Sequence, residues 1–292
     1  MWARWYGAFV EKIRTWAEND PDVRAVLIIG SQARTDVPAD EWSDLDLLVF
    51  HADPARLIAS TEWFQSFGTV VLSMVEPTAL GGSRERRVLY SDGRDVDFAV
   101  FPAEAIGALT VSTEGQSVLS RGFVVLADKD HRLGGLESSA AVTPPASVGP
   151  SSRDEFMANF SDFYYHVLWA AKKLRRGETW SAKMVCDGYL KLLLVRMIEW
   201  STLASARAKV DTWHDGRFVD RWAPAEVRDR LPSTFGRYQS QDLARALRET
   251  GRLYSQLGHQ VAEKLGWSYP TEAEQTVWKL VDQTLKDMPI TA

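Results

Sequence analysis

Cysteine is nearly absent: one residue, Cys186, in a chain of 292. No internal disulfide can form, which fits a reducing compartment. Histidine is also scarce, with five residues at no spacing that suits a shared metal. Long apolar runs are missing. Runs such as Ala25–Ile29 and Leu192–Val195 are far too short to span a bilayer. The first twenty residues read as an amphipathic helix carrying Glu11, Lys12 and Arg14, not as a signal peptide. A basic excess is lacking as well: 34 Lys and Arg stand against 39 Asp and Glu, a formal net charge of −5. Proteins that ride on nucleic-acid phosphates usually carry the opposite sign. Glycine-rich phosphate-loop, dinucleotide-binding and zinc-protease signatures do not occur. The expectation is a soluble, cytoplasmic globular protein with no membrane partner and with nucleic acid disfavoured.

The two halves of the chain differ in texture. Val23–Ile29 is a continuous apolar run that stops at Gly30-Ser31, the pattern of a buried strand and a turn. Leu45–Phe50 is a second apolar run, and Pro54–Phe67 reads as helix. Thr69–Val75, Arg87–Ser91, Val96–Phe101 and Gly122–Ala127 are further strand candidates, with the hairpin signal Asp92-Gly93 before the third. His131 to Ser152 is rich in Gly, Pro and Ser, a linker composition.

Beyond it, Ser152 and Glu155 have capping-box spacing, and Phe156, Phe160, Phe163, Val167, Ala171 and Leu174 recur every three or four residues. Gly177 stops that helix. A second helix is predicted from Trp180 to Ala204, and a third is outlined by Leu243, Leu247, Tyr254, Leu257, Val261 and Leu265. Thr271–Glu274 reads as another capping box, opening a last helix with Val277, Val281 and Met288 inward. The predicted fold is α+β: a domain over 1–135 with a mixed sheet and flanking helices, a linker over 136–151, and an α-helical bundle over 152–292.

Three pieces of the first half carry chemistry. Residues two apart in a strand share a face, so Asp44 and Asp46 project together while Leu45 and Leu47 pack behind them. Two adjacent carboxylates repel unless a cation lies between them. Oxygen-only ligands suit Mg²⁺. Asp97 stands among Val96, Phe98 and Val100, an unfavourable place for a lone acid that a shared metal would explain. Gly30 lets backbone approach a phosphate closely, and Ser31 adds a hydroxyl and an N–H. These are the parts of metal-dependent nucleotidyl transfer, in which a carboxylate accepts the proton of the attacking hydroxyl.

Gly30-Ser31, Asp44-Leu45-Asp46 and Asp97 resemble the active-site pattern of polymerase-β-type nucleotidyltransferases. The stretch from Gly30 to Asp46, with its long loop and its Val37-Pro38 and Asp40-Glu41-Trp42 elements, resembles the aminoglycoside 6-adenylyltransferases, which modify streptomycin. So do Val96–Pro102, Arg176-Gly177-Glu178, Ala182-Lys183, Arg196–Trp200, Gly216-Arg217-Phe218 and Leu265–Pro270. The likeness spans nearly the whole chain. Gln32 and Ala33 depart from it, where Arg and Thr are expected, as does the Gly/Pro-rich stretch around 132–150.

The resemblance implies roles. Asp44 and Asp46 would hold Mg²⁺, and Asp97 would serve as general base, as metal ligand, or as both, with Asp95 as its rival on the same face. Gly30, Ser31, Arg34 and Lys183 would bind ATP, the co-substrate. For Lys183 the competing reading is an i,i+4 ion pair with Asp187; for Arg34 it is a plain loop arginine. The acceptor would be small, hydroxylated and cationic. A nucleic-acid or protein acceptor, or a nucleotide sensor without turnover, are the alternatives. The charge partition fits a metal site: up to Gly135, 13 Lys and Arg face 20 Asp and Glu (−7), whereas the remainder has 21 against 19 (+2).

Overall fold

Apolar runs in the first half become the inner strands of one sheet. The computed structural model describes residues 5–34, 39–78, 82–134, 149–205, 210–212 and 215–286. The chain divides into two compact units, Met1–Pro145 and Ala146–Ala292. Of the expected linker, residues 136–148 lie outside the described residues.

In the first unit, helix α1 (Gly7–Asn19) is followed by β1 (Val23–Ile29), a 3₁₀ turn (Gly30–Gln32) and β2 (Leu45–His51). Two short helices come next, α2 (Pro54–Ala59) and α3 (Glu62–Gln65), then β3 (Val70–Pro77), β4 (Arg84–Tyr90) and β5 (Asp95–Pro102). Helices α4 (Ile106–Val111) and α5 (Thr113–Leu119) lead to β6 (Val124–Asp128). The sheet order is β3-β4-β5-β2-β1-β6. Among the described residues only the β2–β5 pair runs parallel, so the sheet is mixed.

Both faces of the central strands are covered, which is why β1 and β2 read as unbroken apolar runs. Val26, Ile28, Leu45, Leu47 and Val49 pack on one side with Phe9, Val10 and Ile13 of α1 and with Trp63, Phe64 and Phe67. Ala25, Leu27, Leu48 and Phe50 pack on the other with Ile106, Leu109 and Leu119. Asp46 shares strand parity with Leu48 and Phe50. It therefore lies on the second face, where the smaller core gives out toward the start of β2.

Local sequence chemistry explains most boundaries. The expected helix over Pro54–Phe67 is two helices broken at Ser60-Thr61. Asp53 caps the first, accepting a hydrogen bond from the Arg56 N–H at 3.0 Å, and Pro54 takes the first helical position. Strand β4 starts three residues earlier than predicted because Arg84–Arg86 pair with Phe98–Val100. Gly93 takes φ +85° between β4 and β5, the left-handed conformation that the tight hairpin requires.

The second unit is helical: α6 (Arg153–Arg175), α7 (Thr179–Met184), a π-helical turn (Val185–Tyr189), α8 (Leu190–Ser205), the short α9 (Val219–Trp222) and α10 (Ala225–Arg230), α11 (Ser240–Leu265) and α12 (Thr271–Leu285). Ser152 caps α6, accepting from the Glu155 N–H at 3.1 Å, while the Glu155 carboxylate turns to Ser151. The predicted helix from Trp180 to Ala204 is present but is interrupted by the π turn. The predicted Thr271–Glu274 box does not form. Thr271 already lies inside α12, Pro270 occupies the cap position, and Glu274 is buried with its carboxylate 4.0 Å from His259 Nε2. Met288 lies outside the described residues. The core joins Phe156, Phe163, Met197, Leu247, Tyr254 and Val281, with Phe163 stacked on Tyr254 at 3.6 Å. Cys186 is buried there as packing, and burial pushes its thiol up to about 12.

Helices α11 and α12 meet closely at Gly251. A Cβ there would lie 2.1 Å from Trp278 Cζ2. Alanine ordinarily stabilises a helix interior by about 1 kcal/mol over glycine. Here overpacking should win, and Gly251→Ala is expected to destabilise the fold by about 1–3 kcal/mol in chemical denaturation. A stabilised variant would refute the close approach.

Candidate functional site

Strand register gathers the acids. Asp46 pairs with Ile29 of β1 on one side and with Asp97 of β5 on the other. Asp44 precedes β2 by one residue. Carboxylate oxygens of Asp44, Asp46 and Asp97 all lie within 4.8 Å of one another. Asp95, the rival of Asp97, is exposed at the start of β5 and is not one of these three. Its carbonyl accepts a hydrogen bond from the Tyr6 hydroxyl at 3.1 Å.

This crowding has an electrostatic signature. Burial raises the pKa of Asp46 well above the usual carboxylate range, and Asp44 and Asp97 push it further. Burial also raises that of Asp97, to about 6, against the opposing pull of Arg87. Both protons would be displaced by a cation that supplied the missing charge. The donors are all carboxylate oxygens, which suits a hard divalent ion.

The glycine of Gly30-Ser31 is tied to the same carboxylates. Gly30 has φ +67°, and a Cβ there would fall 2.1 Å from Asp46 Oδ2. Both the backbone conformation and the space exclude a side chain. Ser31 is buried, and its Oγ finds no hydrogen-bond partner among the described residues. A buried orphan hydroxyl is costly unless a ligand completes it. The turn beginning at Gly30 is a short 3₁₀ turn, not a full helix, and supplies no helix dipole. Arg34 ends the described part of the loop, and Val37-Pro38 falls outside it. Lys183 belongs to the helical unit, in α7, where its ammonium bonds Asp187 and the Gly236 carbonyl, the latter at 2.6 Å. The i,i+4 ion pair is therefore present.

Sequence reading missed several neighbours. Arg87 stands directly opposite Asp97 across β4 and β5, its guanidinium 3.3 Å from Asp97 Oδ2. The same group reaches Glu85 at 3.0 Å and Glu76 at 2.7 Å. The alternation Glu85–Arg87 was the available signal, but it becomes visible only once β4 begins at Arg84. Gln32, a departure from the resembled pattern, is buried and donates to the carbonyls of Ser43 (3.4 Å) and Asp44 (3.1 Å). It thus ties the turn after β1 to the segment carrying Asp44. Asp40 braces that segment, accepting from the Trp42 N–H at 3.0 Å and the Ser43 hydroxyl at 2.9 Å. Among the described residues no helix is long and apolar enough to cross a membrane.

Known proteins resemble this chain along most of its length. Residues 4–284 match the family model described as streptomycin adenylyltransferase. An aminoglycoside 6-adenylyltransferase of Campylobacter jejuni is 22% identical over 275 residues, covering 90% of each chain. One from Bacillus subtilis (strain 168) is 23% identical over 265 residues, covering 87% of this chain and 89% of its own. A crystal structure of an aminoglycoside 6-adenyltransferase from Bacillus subtilis aligns over 96% of this chain and 98% of its own, at 17% identity and a TM-score of 0.46. The match to the family model covers most of the sequence, and the chain belongs to the streptomycin adenylyltransferase family, a family of nucleotidyltransferase enzymes.

Proposed function

We propose that this enzyme transfers AMP from ATP to a hydroxyl of an aminoglycoside such as streptomycin and releases pyrophosphate. The observation that carries the reading is the convergence of Asp44, Asp46 and Asp97 beside the Gly30-Ser31 turn. The donor set fits Mg²⁺, with Asp44, Asp46 and Asp97 as the residues that would hold it. When bound, such an ion neutralises triphosphate charge and raises the electrophilicity of the α-phosphorus.

The chain's own groups supply the rest. Gly30 brings its backbone close to the nucleotide phosphates, and the orphaned Ser31 hydroxyl offers a donor to a phosphate oxygen. Arg34 and Lys183 are assigned to the triphosphate as charge partners. For Lys183 this role is compatible with its bonds to Asp187 and Gly236, because an ammonium has three donors. Asp97 takes the proton of the attacking hydroxyl. With no cation bound, burial raises its pKa to about 6 against the pull of Arg87. Arg87 holds one Asp97 oxygen and favours the charged form.

Labelled ATP, Mg²⁺ and streptomycin are expected to yield labelled drug. Label on RNA or protein with none on a panel of aminoglycosides would replace this acceptor. ATP binding without transfer to any acceptor would favour a nucleotide sensor.

Asp97→Asn should lower transfer at least ~10²-fold, the usual contribution of a positioned base, while leaving the unfolding midpoint nearly unchanged. Near-normal turnover would remove Asp97 from the role. Gly30→Ala should also cut transfer strongly, because its methyl must displace the Asp46 carboxylate; unaltered kinetics would contradict the close packing.

Asp46→Asn should behave differently. The native Asp46 carboxyl has a raised pKa, so the metal-free folded chain binds a proton that the unfolded chain releases. Its stability contribution is present in acid and fades as pH rises through the raised value. Between about pH 5 and pH 8 the metal-free wild type should therefore lose stability, and Asp46→Asn should flatten that slope while abolishing transfer. Parallel pH profiles of melting temperature for the two proteins would refute the assignment of the slope to Asp46.

A further inference from the structure

One aromatic surface of the helical unit plays no part in its core. It is centred on His166 in α6. The His166 ring lies 5.2 Å from that of Tyr165, 6.5 Å from that of Trp169 and 4.5 Å from that of Tyr189. Tyr165 is 68% exposed and Tyr189 38% exposed. Tyr165, His166 and Trp169 come from one helix. Tyr189 is brought to them by the π turn that interrupts the next helical stretch. Such turns recur at functional sites because the extra residue re-aims a side chain.

A carboxylate sits among these rings. Asp162 Oδ2 accepts a hydrogen bond from the Tyr189 hydroxyl at 2.7 Å, and its Oδ1 lies 2.8 Å from His166 Nδ1. The two contacts fix the acid against the rings, yet its side chain remains 36% exposed. At the far edge the Lys173 ammonium lies 4.8 Å from the Trp169 ring centroid, so one ring of this surface already carries a cation. Lys173 is itself paired with Glu178 at 2.5 Å.

We propose that Tyr165, His166, Trp169 and Tyr189, with Asp162, form the recognition surface for a cationic, ring-shaped, polyhydroxylated acceptor. The proposal rests on the aminoglycoside reading above and deepens it by naming the groups that select the acceptor. Aromatic faces offer apolar area to the C–H faces of sugar or cyclitol rings, and their π-electrons attract a guanidinium or ammonium. Asp162 supplies the charge that such a cation needs, and the Tyr189 hydroxyl and His166 supply hydrogen bonds to hydroxyl groups. An anionic nucleotide is the poorer occupant. Its base would stack, but its phosphates gain nothing from a fixed carboxylate.

The test uses the full chain, with streptomycin as probe. Calorimetry without ATP gives its dissociation constant, and steady-state kinetics give KM for each substrate and kcat. Tyr165→Ala and Asp162→Asn remove exposed groups, so folding should persist, as the unfolding midpoint will report. Each is expected to raise the streptomycin Kd and KM at least tenfold, with ATP KM and saturated kcat within twofold. Tyr165→Phe, which keeps the ring, should recover most of the affinity. Wild-type transfer with unchanged streptomycin KM and Kd in both variants would overturn the surface while leaving the reaction intact. A change confined to ATP KM would overturn it in favour of the nucleotide. Wild-type binding that is lost in the variants, without any transfer of AMP to the drug, would uphold the surface and sink the reaction. A wild type that does not bind streptomycin at all overturns the surface as its site.

Discussion

Mutual repulsion of three carboxylates on neighbouring strands is the constraint on which the first unit depends. Asp46 is deeply placed, beside both Asp44 and Asp97, and its proton affinity rises accordingly. A fold does not gather such groups for stability, since a buried charge without a partner is among the costliest features a protein can carry. The sheet tolerates them because β1, β2 and β5 are anchored by apolar side chains on both faces along the rest of their length. That rigidity keeps the acids at the end of the strands, where the covering core stops.

Partial relief comes from Arg87. Its guanidinium contacts Glu76, Glu85 and Asp97 across three strands, so one cation serves three acids. A planar group with five donors can do this, whereas a lysine ammonium would act as a single point charge. The contact favours the ionised form of Asp97, but burial outweighs it and the pKa stays raised. Arg87 does not contact Asp46 within ion-pair distance among the described contacts, so the deepest acid is left for another cation. The same logic explains Gly30. A side chain there would occupy the space of the Asp46 carboxylate, so the phosphate-approaching turn and the acidic cluster fit only as one unit.

How much of this was legible in the sequence follows from which forces are local. Gly30-Ser31, Asp44-Leu45-Asp46 and Asp97 could be grouped in advance because strand alternation is a local rule, and it holds here. The helical second half was legible because its apolar spacing is long and regular. Arg87, Glu85 and Glu76 were not, because their meeting depends on the register among β3, β4 and β5, which no local rule sets. The failed capping box at Thr271 has the same origin. Ser/Thr-x-x-Glu is a local pattern, but burial of Glu274 beside His259 is a tertiary outcome that overrides it. Gln32 looked like a weakening of the motif. In the fold its amide joins two segments that the motif alone leaves unconnected.

The π turn illustrates a further limit. Val185–Tyr189 has no proline and a single glycine, so the sequence reads as ordinary helix from Trp180 onward. An uninterrupted helix would hold Tyr189 in phase with the residues around it. The inserted residue changes that phase and lets the Tyr189 hydroxyl reach Asp162 on α6. In the first unit, strand register assembles acids that local chemistry would keep apart. In the second, a break in helical period assembles rings around an acid. In both cases a departure from locally favourable structure coincides with polar groups that no core requires. That coincidence marks these two places for chemistry, since energetic cost without structural benefit points to function.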